Sequence, residues 1–405
     1  MFGFIEVITL LLGLSGFGLT PNPKPATSDQ ALYYAIPEAD VVVHVDVASI
    51  VPGNYKNLLA LKNQPQIKSS PELSKIVTKF VAEVEGGRNI AKATTGIDLT
   101  TDISDATAFV SFVPGAKDPA FVVVVRGKLS ASVVDTIASR TGKQVTTLGG
   151  GKLIDMGGTE PSIGVTKDGV MLAGTPRLVK ERLNPGWRPP NKRAGANLGY
   201  AAQTIDGKPV FSVSVALSGA ARGELVKQLG PKQNFITDLA KRHKSWSFSV
   251  FHDGIGWSWV DSNRAGLDQV AQMSEGMVDL MRAAQIAPRG IAKILLAAID
   301  SYKGNREVDQ VIRRKADIWK IVETYTGDGN FKVAVNKDPN KLRLDVRCTG
   351  KSLSEVLPAG LVVPGVAFSL FAMRGKSVAS EPYETPAIAV PPPPRPPPKA
   401  PPKRP

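Results

Sequence analysis

The sequence predicts an α+β protein: two units of antiparallel sheet with helices packed on one face, followed by a disordered Pro-rich tail. Three observations carry this expectation. Short β-branched segments and helix-period segments occur in runs rather than in strict alternation, which argues for antiparallel sheets. Both halves of the chain read strand, helix, hairpin, helix in that order, pointing to a diverged duplication without a residue-level repeat. The end of the chain, EPYETPAIAVPPPPRPPPKAPPKRP, is built on proline runs that cannot donate backbone hydrogen bonds and adopt extended polyproline II.

Residues 1–30 open with an almost wholly apolar run, Val7–Leu19, followed by the Pro-rich stretch Thr20–Ala26. That length fits the apolar region of a signal peptide, or an anchor with its spacer, better than a full membrane span. A buried N-terminal helix is the alternative, since no Lys or Arg precedes the run and Glu6 sits at its edge. The first unit covers residues 31–184. In PEADVVVHVDVASI, Val41, Val43, Val45 and Val47 face one way, and Val42, His44 and Asp46 the other, which puts His44 on an exposed or half-exposed face. Pro71 opens a helix with apolar positions Leu73, Ile76, Val77, Phe80, Val81 and Val84, interrupted at Gly86-Gly87. Strands follow at Ala106–Val113 and Ala120–Arg126, then a helix over Ala131–Arg140. Short strands come next at Gln144–Leu148, Lys152–Met156, Ser162–Thr166 and Val170–Ala173, the last two joined by the hairpin signal Lys167-Asp168-Gly169. A short helix after Pro176 closes the unit.

Residues 185–198 read as a linker. The second unit, residues 199–355, begins with a strand over Val210–Leu217 and a helix from Arg222. A hairpin joins Ser245–Phe251 to Gly256–Val260. Helices follow at Gly266–Gln285, Gly290–Tyr302 and Glu307–Thr326, and a last hairpin pairs Phe331–Asn336 with Leu342–Arg347. Residues 356–379 form an apolar segment whose 18 uncharged residues, Val356–Met373, would span about 27 Å as a helix, marginally a bilayer core. Pro358 and Pro364 favour burial against the protein instead. Residues 380–405 are the basic tail.

The net charge of +14 is spread along the chain, with Arg188, Lys192 and Arg193 in the linker and Arg395, Lys399, Lys403 and Arg404 in the tail. A basic excess of this kind favours anionic surfaces: lipid headgroups, acidic envelope polymers or nucleic acid. The single cysteine, Cys348, excludes an internal disulfide and a cysteine-rich zinc site. The three histidines, His44, His243 and His252, show no metal-ligand spacing, and no G-x-S-x-G elbow is present. Gly350-Lys351-Ser352 and Gly375-Lys376-Ser377 lack the leading glycine of a phosphate loop, and Gly149-Gly150-Gly151 reads as a turn. Asp98, Asp102 and Asp105 lie close together but read as caps and turns rather than a cation site. Met273, Met277 and Met281 fall four apart on one helix and read as core. No catalytic residue, metal or cofactor is expected.

One cluster suits binding. Lys241, Arg242 and Lys244 stand beside a predicted hairpin on which Trp257 and Trp259 share a face, a pairing of cations and aromatics fit for polymer stacking; a hairpin packed under helices is the plainer reading. With the tail cations Arg395, Lys399, Lys403 and Arg404 these are the candidate binding residues. The segments AIPEADVVVHVD and GIDLTTDISD resemble, over Ala35–Asn184, a loosely defined group of uncharacterised bacterial exported proteins with a duplicated sheet-and-helix body. The resemblance implies no catalytic activity and lends no functional residue. The sequence therefore points to a non-enzymatic exported protein, periplasmic or membrane-associated, that binds or scaffolds a protein, an anionic envelope polymer or a lipid surface. A basic nucleic-acid-associated protein is the alternative, and no small-molecule substrate is indicated.

Overall fold

A computed structural model describes residues 25–350 apart from 64–67, 69–70, 114, 117, 158–159, 191–195, 229–234, 299–315, 317–318 and 320–331. The apolar runs at 1–24 and 356–379, the tail with Arg395, Lys399, Lys403 and Arg404, and most of the helix expected over Glu307–Thr326 lie outside the described residues. Among those described, no helix is long and apolar enough to cross a membrane.

Among the described residues, twelve antiparallel strands form one sheet, which both sequence units share. In chain order these are β1 (Val41–Val45), β2 (Ile103–Ser111), β3 (Ala120–Gly127), β4 (Val145–Leu148), β5 (Gly151–Ile154), β6 (Ser162–Val165), β7 (Met171–Gly174), β8 (Phe211–Val215), β9 (His243–Phe251), β10 (Gly254–Asp261), β11 (Lys332–Asp338) and β12 (Arg343–Thr349). Their spatial order is β11-β12-β10-β9-β8-β1-β2-β3-β7-β6-β5-β4. The halves are unequal: β4 to β7 lie outside β3, whereas only β12 and β11 lie outside β10. The helices are α1 (Ser28–Ala31), α2 (Val47–Leu61), α3 (Pro71–Thr95), α4 (Ser132–Thr141), α5 (Pro176–Leu183), α6 (Ala196–Asp206), α7 (Gly219–Gln228), α8 (Phe235–Arg242) and α9 (Arg264–Ala298).

The α+β class and the antiparallel sheet agree with the sequence; the placement of helices is broader than expected, because they pack on both faces. On one face, Val41, Val45, Val110, Val213, Val250, Ile255 and Val346 meet Val47, Ile50 and Val51 of α2 and Leu267, Val270 and Ala271 of α9. On the other, Val42, Phe109, Val122, Val124 and Leu172 meet Leu178, Val179 and Leu183 of α5 and Leu198, Ala201 and Ile205 of α6. Gly164 of β6 permits this second layer, since a Cβ there would lie 2.7 Å from Leu183 Cδ1 and 3.4 Å from Val179 Cγ1. Between α5 and α1, buried Arg182 donates to the carbonyls of Tyr34 (2.7 Å), Leu178 (2.9 Å) and Ala35 (2.8 Å) and stacks on Trp187 at 4.6 Å.

Strand β1 is the seam. It pairs with β2 through Val43↔Ala108 and with β8 through Val43↔Val213. Asp40, 1% exposed just before it, binds both neighbours. Its carboxylate accepts the Phe112 amide at 2.7 Å beyond β2 and the Ser218 amide at 2.5 Å beyond β8. Its own amide donates to Val110 O at 2.8 Å, and its carbonyl accepts from Ala216 N at 2.9 Å. Asn197 of α6 donates to the carbonyls of Ala39, Asp40 and Ser214 at 3.2, 2.9 and 3.3 Å, so part of the expected linker is built into the core.

Several expectations are corrected. His44 is 2% exposed rather than surface-facing, because β1 is covered on both faces. Val47, expected on the strand, instead opens helix α2: Asp46 caps it by accepting from Ser49 N at 3.2 Å and Ser49 Oγ at 2.7 Å. Helix α3 runs through Gly86 and Gly87, where an added Cβ would meet nothing within 4 Å, so glycine's helix cost of about 1 kcal/mol each is outweighed by continuation of the ladder. Helix α9 runs through Gly290, where two helices were expected. Met273 and Met277 are 40% and 46% exposed, not core.

Two predictions follow from the seam. Asp40→Ala strands two amides at once, and hydrogen bonds to a charged acceptor contribute about 1.5–3 kcal/mol each. We expect urea denaturation to register a loss of about 2–4 kcal/mol; a loss under about 1 kcal/mol would mean the strand ladder alone holds the seam. His44 is the second. Burial, then the Arg126 charge, pulls its imidazole down to about 3, so the folded state refuses the proton that the unfolded state takes up below about 6.5. Stability is whole above that value and drains as pH falls toward the folded one. Between pH 7 and 5 the protein should lose about 2 kcal/mol more than a His44→Gln variant. Parallel stability profiles for the two would exclude this role.

Candidate functional site

The basic and aromatic candidates meet at one corner, where α8, β9, β10 and the start of α9 converge. Helix α8 buries Thr237 and Ala240 and ends in Lys241 and Arg242, cations placed where the helix dipole is negative. The chain then enters β9 directly at His243. Alternation buries His243, Ser245, Ser247 and Ser249 on one side of β9 and turns Lys244, Trp246, Phe248 and Val250 to the other. Across the ladder Trp246 faces Trp259 and Phe248 faces Trp257, giving four half-buried aromatic rings on one sheet face. Trp257 and Trp259 do share a face.

Asp261 organises this corner. It is fully buried and lies just before α9. Its Oδ1 accepts from Ser262 N at 2.8 Å and Asn263 N at 3.3 Å, and its Oδ2 accepts from Trp259 Nε1 at 3.1 Å. Arg242 Nε stands 3.4 Å from Oδ2 in an ion pair. Asn263 Oδ1 accepts from Gly266 N at 2.7 Å, completing the helix start. Only glycine fits at 266, since a Cβ would lie 2.3 Å from the Asp261 carboxylate. The His243 ring packs 5.5 Å from Trp259, and the Trp257 indole donates to Ser274 Oγ of α9 at 3.0 Å.

The five residues therefore divide. Trp257 and Trp259 donate to Ser274 and Asp261, whereas Arg242 is held to Asp261 by the ion pair alone, its buried Nε and Nη2 making no hydrogen bond among the described residues. Lys241 and Lys244 are exposed, and no acid among the described residues pairs with them. Asp261 itself went unnoticed in the sequence, although Asp-Ser-Asn ahead of a helix is a start signal that marks it.

Elsewhere the polar groups serve the fold. His44 Nδ1 lies 3.0 Å from Thr107 Oγ1, and buried Asp105 is bridged by Arg126 at 2.7 Å. Burial raises the Asp105 carboxyl despite that partner. Asp98 accepts from Arg88, from Lys92 at 3.2 Å and from Thr100 Oγ1 at 2.7 Å, which together hold its carboxyl well below the usual range. Asp98, Asp102 and Asp105 do not converge, and no cluster among the described residues suits a metal ion. Under α6, Tyr200 bonds Ser258 and Ser247, and the two serines bond each other at 3.0 Å. Asp345 faces Ser258 across the β10–β12 ladder, and its carboxylate accepts from Arg343 Nε at 2.8 Å. Burial lifts the Cys348 thiol to about 11, far from a reactive thiolate. Gly149 and Gly150, with φ of +61° and +82°, form the turn the sequence suggested.

No protein-family model and no curated protein matches the chain. Among solved structures, crystal form III of TP0453 is similar at 12% identity, covering 86% of this chain and 97% of that one, with a TM-score of 0.32. Crystal form I of TP0453 gives 11% identity, 86% and 94% coverage and a TM-score of 0.32, and form IV gives 14%, 61%, 78% and 0.29.

Proposed function

We propose that this chain is a non-enzymatic exported cell-envelope protein with a binding or scaffolding role, and that its α8–β9 corner contacts an anionic envelope surface. One observation carries the reading: Lys241 and Lys244 are exposed at a corner whose Arg242, Trp257 and Trp259 are fixed from beneath by Asp261 and Ser274. Charges presented from a rigid base lose little side-chain freedom of the supporting rings when they meet a partner, which favours binding over motion. The apolar run Val7–Leu19 supplies the export signal or anchor, and the tail cations add a second, long-reaching contact to the same kind of surface. The bonded Tyr200–Ser247–Ser258 hydroxyls, the His44–Thr107 pair and the buried Cys348 thiol are in keeping with a binding role.

Two measurements test this. Fractionation of cells producing the tagged protein should place it in the envelope; a purely cytosolic soluble pool would overturn the export reading. Purified full chain should sediment with vesicles of anionic phospholipid and not with neutral ones. Each surface cation contributes about 1 kcal/mol there, so K241E with K244E should weaken binding by roughly tenfold or more. Unchanged sedimentation would remove the corner from the reading. Retention on DNA that falls steeply with salt, with no vesicle binding, would favour a nucleic-acid partner instead.

A further inference from the structure

Strand β11 is one edge of the sheet, and among the described residues no strand pairs with its outer side. The other edge, β4, is four residues long, which limits the backbone groups it leaves open. β11 has seven residues, of which Lys332, Ala334, Val335, Asn336 and Lys337 are exposed. Val335 is 48% exposed although Val346, its partner in β12, is buried. An open edge of this length is a template for another extended strand.

The ladder fixes which backbone groups stand open. In an antiparallel strand, successive residues turn their amide and carbonyl to one neighbour and the other alternately. Leu342 O accepts from Asp261 N at 3.0 Å and Gly350 N donates to Asp253 O at 2.8 Å, so both turn to the β10 side. Leu344, Val346 and Cys348 lie at even spacing between them and turn the same way, which leaves Arg343, Asp345, Arg347 and Thr349 to face β11. Their partners there are Asp338, Asn336, Ala334 and Lys332. The amides and carbonyls of Val333, Val335 and Lys337 therefore aim at the open side.

We propose that β11 pairs antiparallel with β11 of a second copy of this chain, around a two-fold axis at Val335, whatever the α8–β9 corner binds. In this register Val335 stands opposite the second copy's Val335, and Val333 opposite its Lys337, so every open amide and carbonyl of the strand meets a partner. Charge chooses the occupant. The same register sets Lys332 of each copy opposite Asp338 of the other, a pairing of unlike charges made twice. A slip of two residues either way, the smallest that keeps the bonds, sets Lys332 against Asn336 or carries it past the strand end. Lysines on an edge usually repel an incoming strand. Here Lys337 is tied to Asp268 of α9 at 2.5 Å, and Lys332 meets an acid, so neither guards the edge against this partner. Asp338 Oδ1 accepts from Asn340 N at 3.0 Å and Lys341 N at 3.1 Å, which holds the carboxylate at the strand end. Its Oδ2 lies 3.5 Å from Lys341 Nζ and can accept a second donor.

Cross-linking reads this register on the full chain. The two copies' Cα atoms at 335 would lie about 5.5 Å apart, within disulfide range, and those at 337 about 14 Å apart, beyond it. Under oxidised glutathione Val335→Cys should form a linked dimer at least about tenfold faster than Lys337→Cys. Val335→Pro is the second variant: the amide it loses faces outward, so the β11–β12 ladder is kept. In sedimentation equilibrium the unaltered chain should pass from monomer to dimer with a dissociation constant of about 1–100 µM, as suits a small interface. Val335→Pro should stay monomeric over the same range, with Cys348 still unreactive to a thiol reagent as the sign of a folded body. A monomeric unaltered chain would overturn the proposal, as would equal cross-linking at 335 and 337 or a dimer that persists in folded Val335→Pro. If Val335→Pro does not fold, the cross-linking ratio decides alone.

Discussion

The carboxylate of Asp40 is the point on which the two halves of this protein depend. An antiparallel sheet of twelve strands is usually at risk where distant parts of the chain meet, because no short hairpin fixes the register there. Here β1 meets β8 across about 170 residues of chain, a closure with a large entropic cost. Asp40 grips the strand continuation on each side, and Asn197 ties the same carbonyls to α6. One slip of β8 would break both the Ser218 bond and the Asn197 contact with Ser214 while turning Val213 away from its core. Register is therefore over-determined at the one place where topology does not supply it.

The faces of that central region are chemically unlike. One is valine, isoleucine and phenylalanine against α2 and α9. The other carries a polar strip in which His44 lies opposite Thr107 and Ser212, Ser212 opposite Ser249, and Ser214 opposite Ser247. These side chains are 1–5% exposed, yet short enough for α6 to lie close over them, with Ala201 and Ala202 small in turn. Burying hydroxyls costs free energy unless they are bonded, and the Tyr200–Ser247–Ser258 and His44–Thr107 bonds offset that cost. The strip favours one position of the helix, since sliding would leave hydroxyls without partners. Short serine side chains thus set the spacing and registry of α6 over the sheet.

Strands were the most legible part of the sequence. Ala120–Arg126 and the four short strands to Ala173 are displaced by only a residue or two, because β-branched runs bounded by glycine and proline admit few other conformations. Helices were misread where local residues oppose them. Gly86-Gly87 and Gly290 lower helix propensity, yet tertiary packing of Val81 and Val84 overrides it in α3. His44 was misplaced because period-2 reasoning assumes one wet face, and a strand covered on both sides has none. At the candidate site, the residue types and the shared face of Trp257 and Trp259 were legible. The allocation of Arg242 to Asp261 was not, since a pair separated by 19 positions leaves no local pattern.

Helix α9 joins the features that face outward. Its first turn is set by Asp261, the same carboxylate that holds Arg242 and Trp259, and its middle is set by Ser274 and Val278 against the sheet. Between Arg264 and Leu280 it rises about 24 Å without a break, so the basic corner and the exposed Met273 and Met277 sit at two stations on one strut. A strut anchored at its start and middle has little freedom to rotate, because turning it would pull Leu267, Val270 and Ala271 out of the core at a cost of about 1.5–3 kcal/mol for each large apolar side chain. Whatever meets the corner therefore meets it at a fixed angle to the exit of the C-terminal chain. That geometry explains why a buried aspartate and a glycine with no room for a Cβ stand at the head of the helix: they set the direction in which both surfaces are presented.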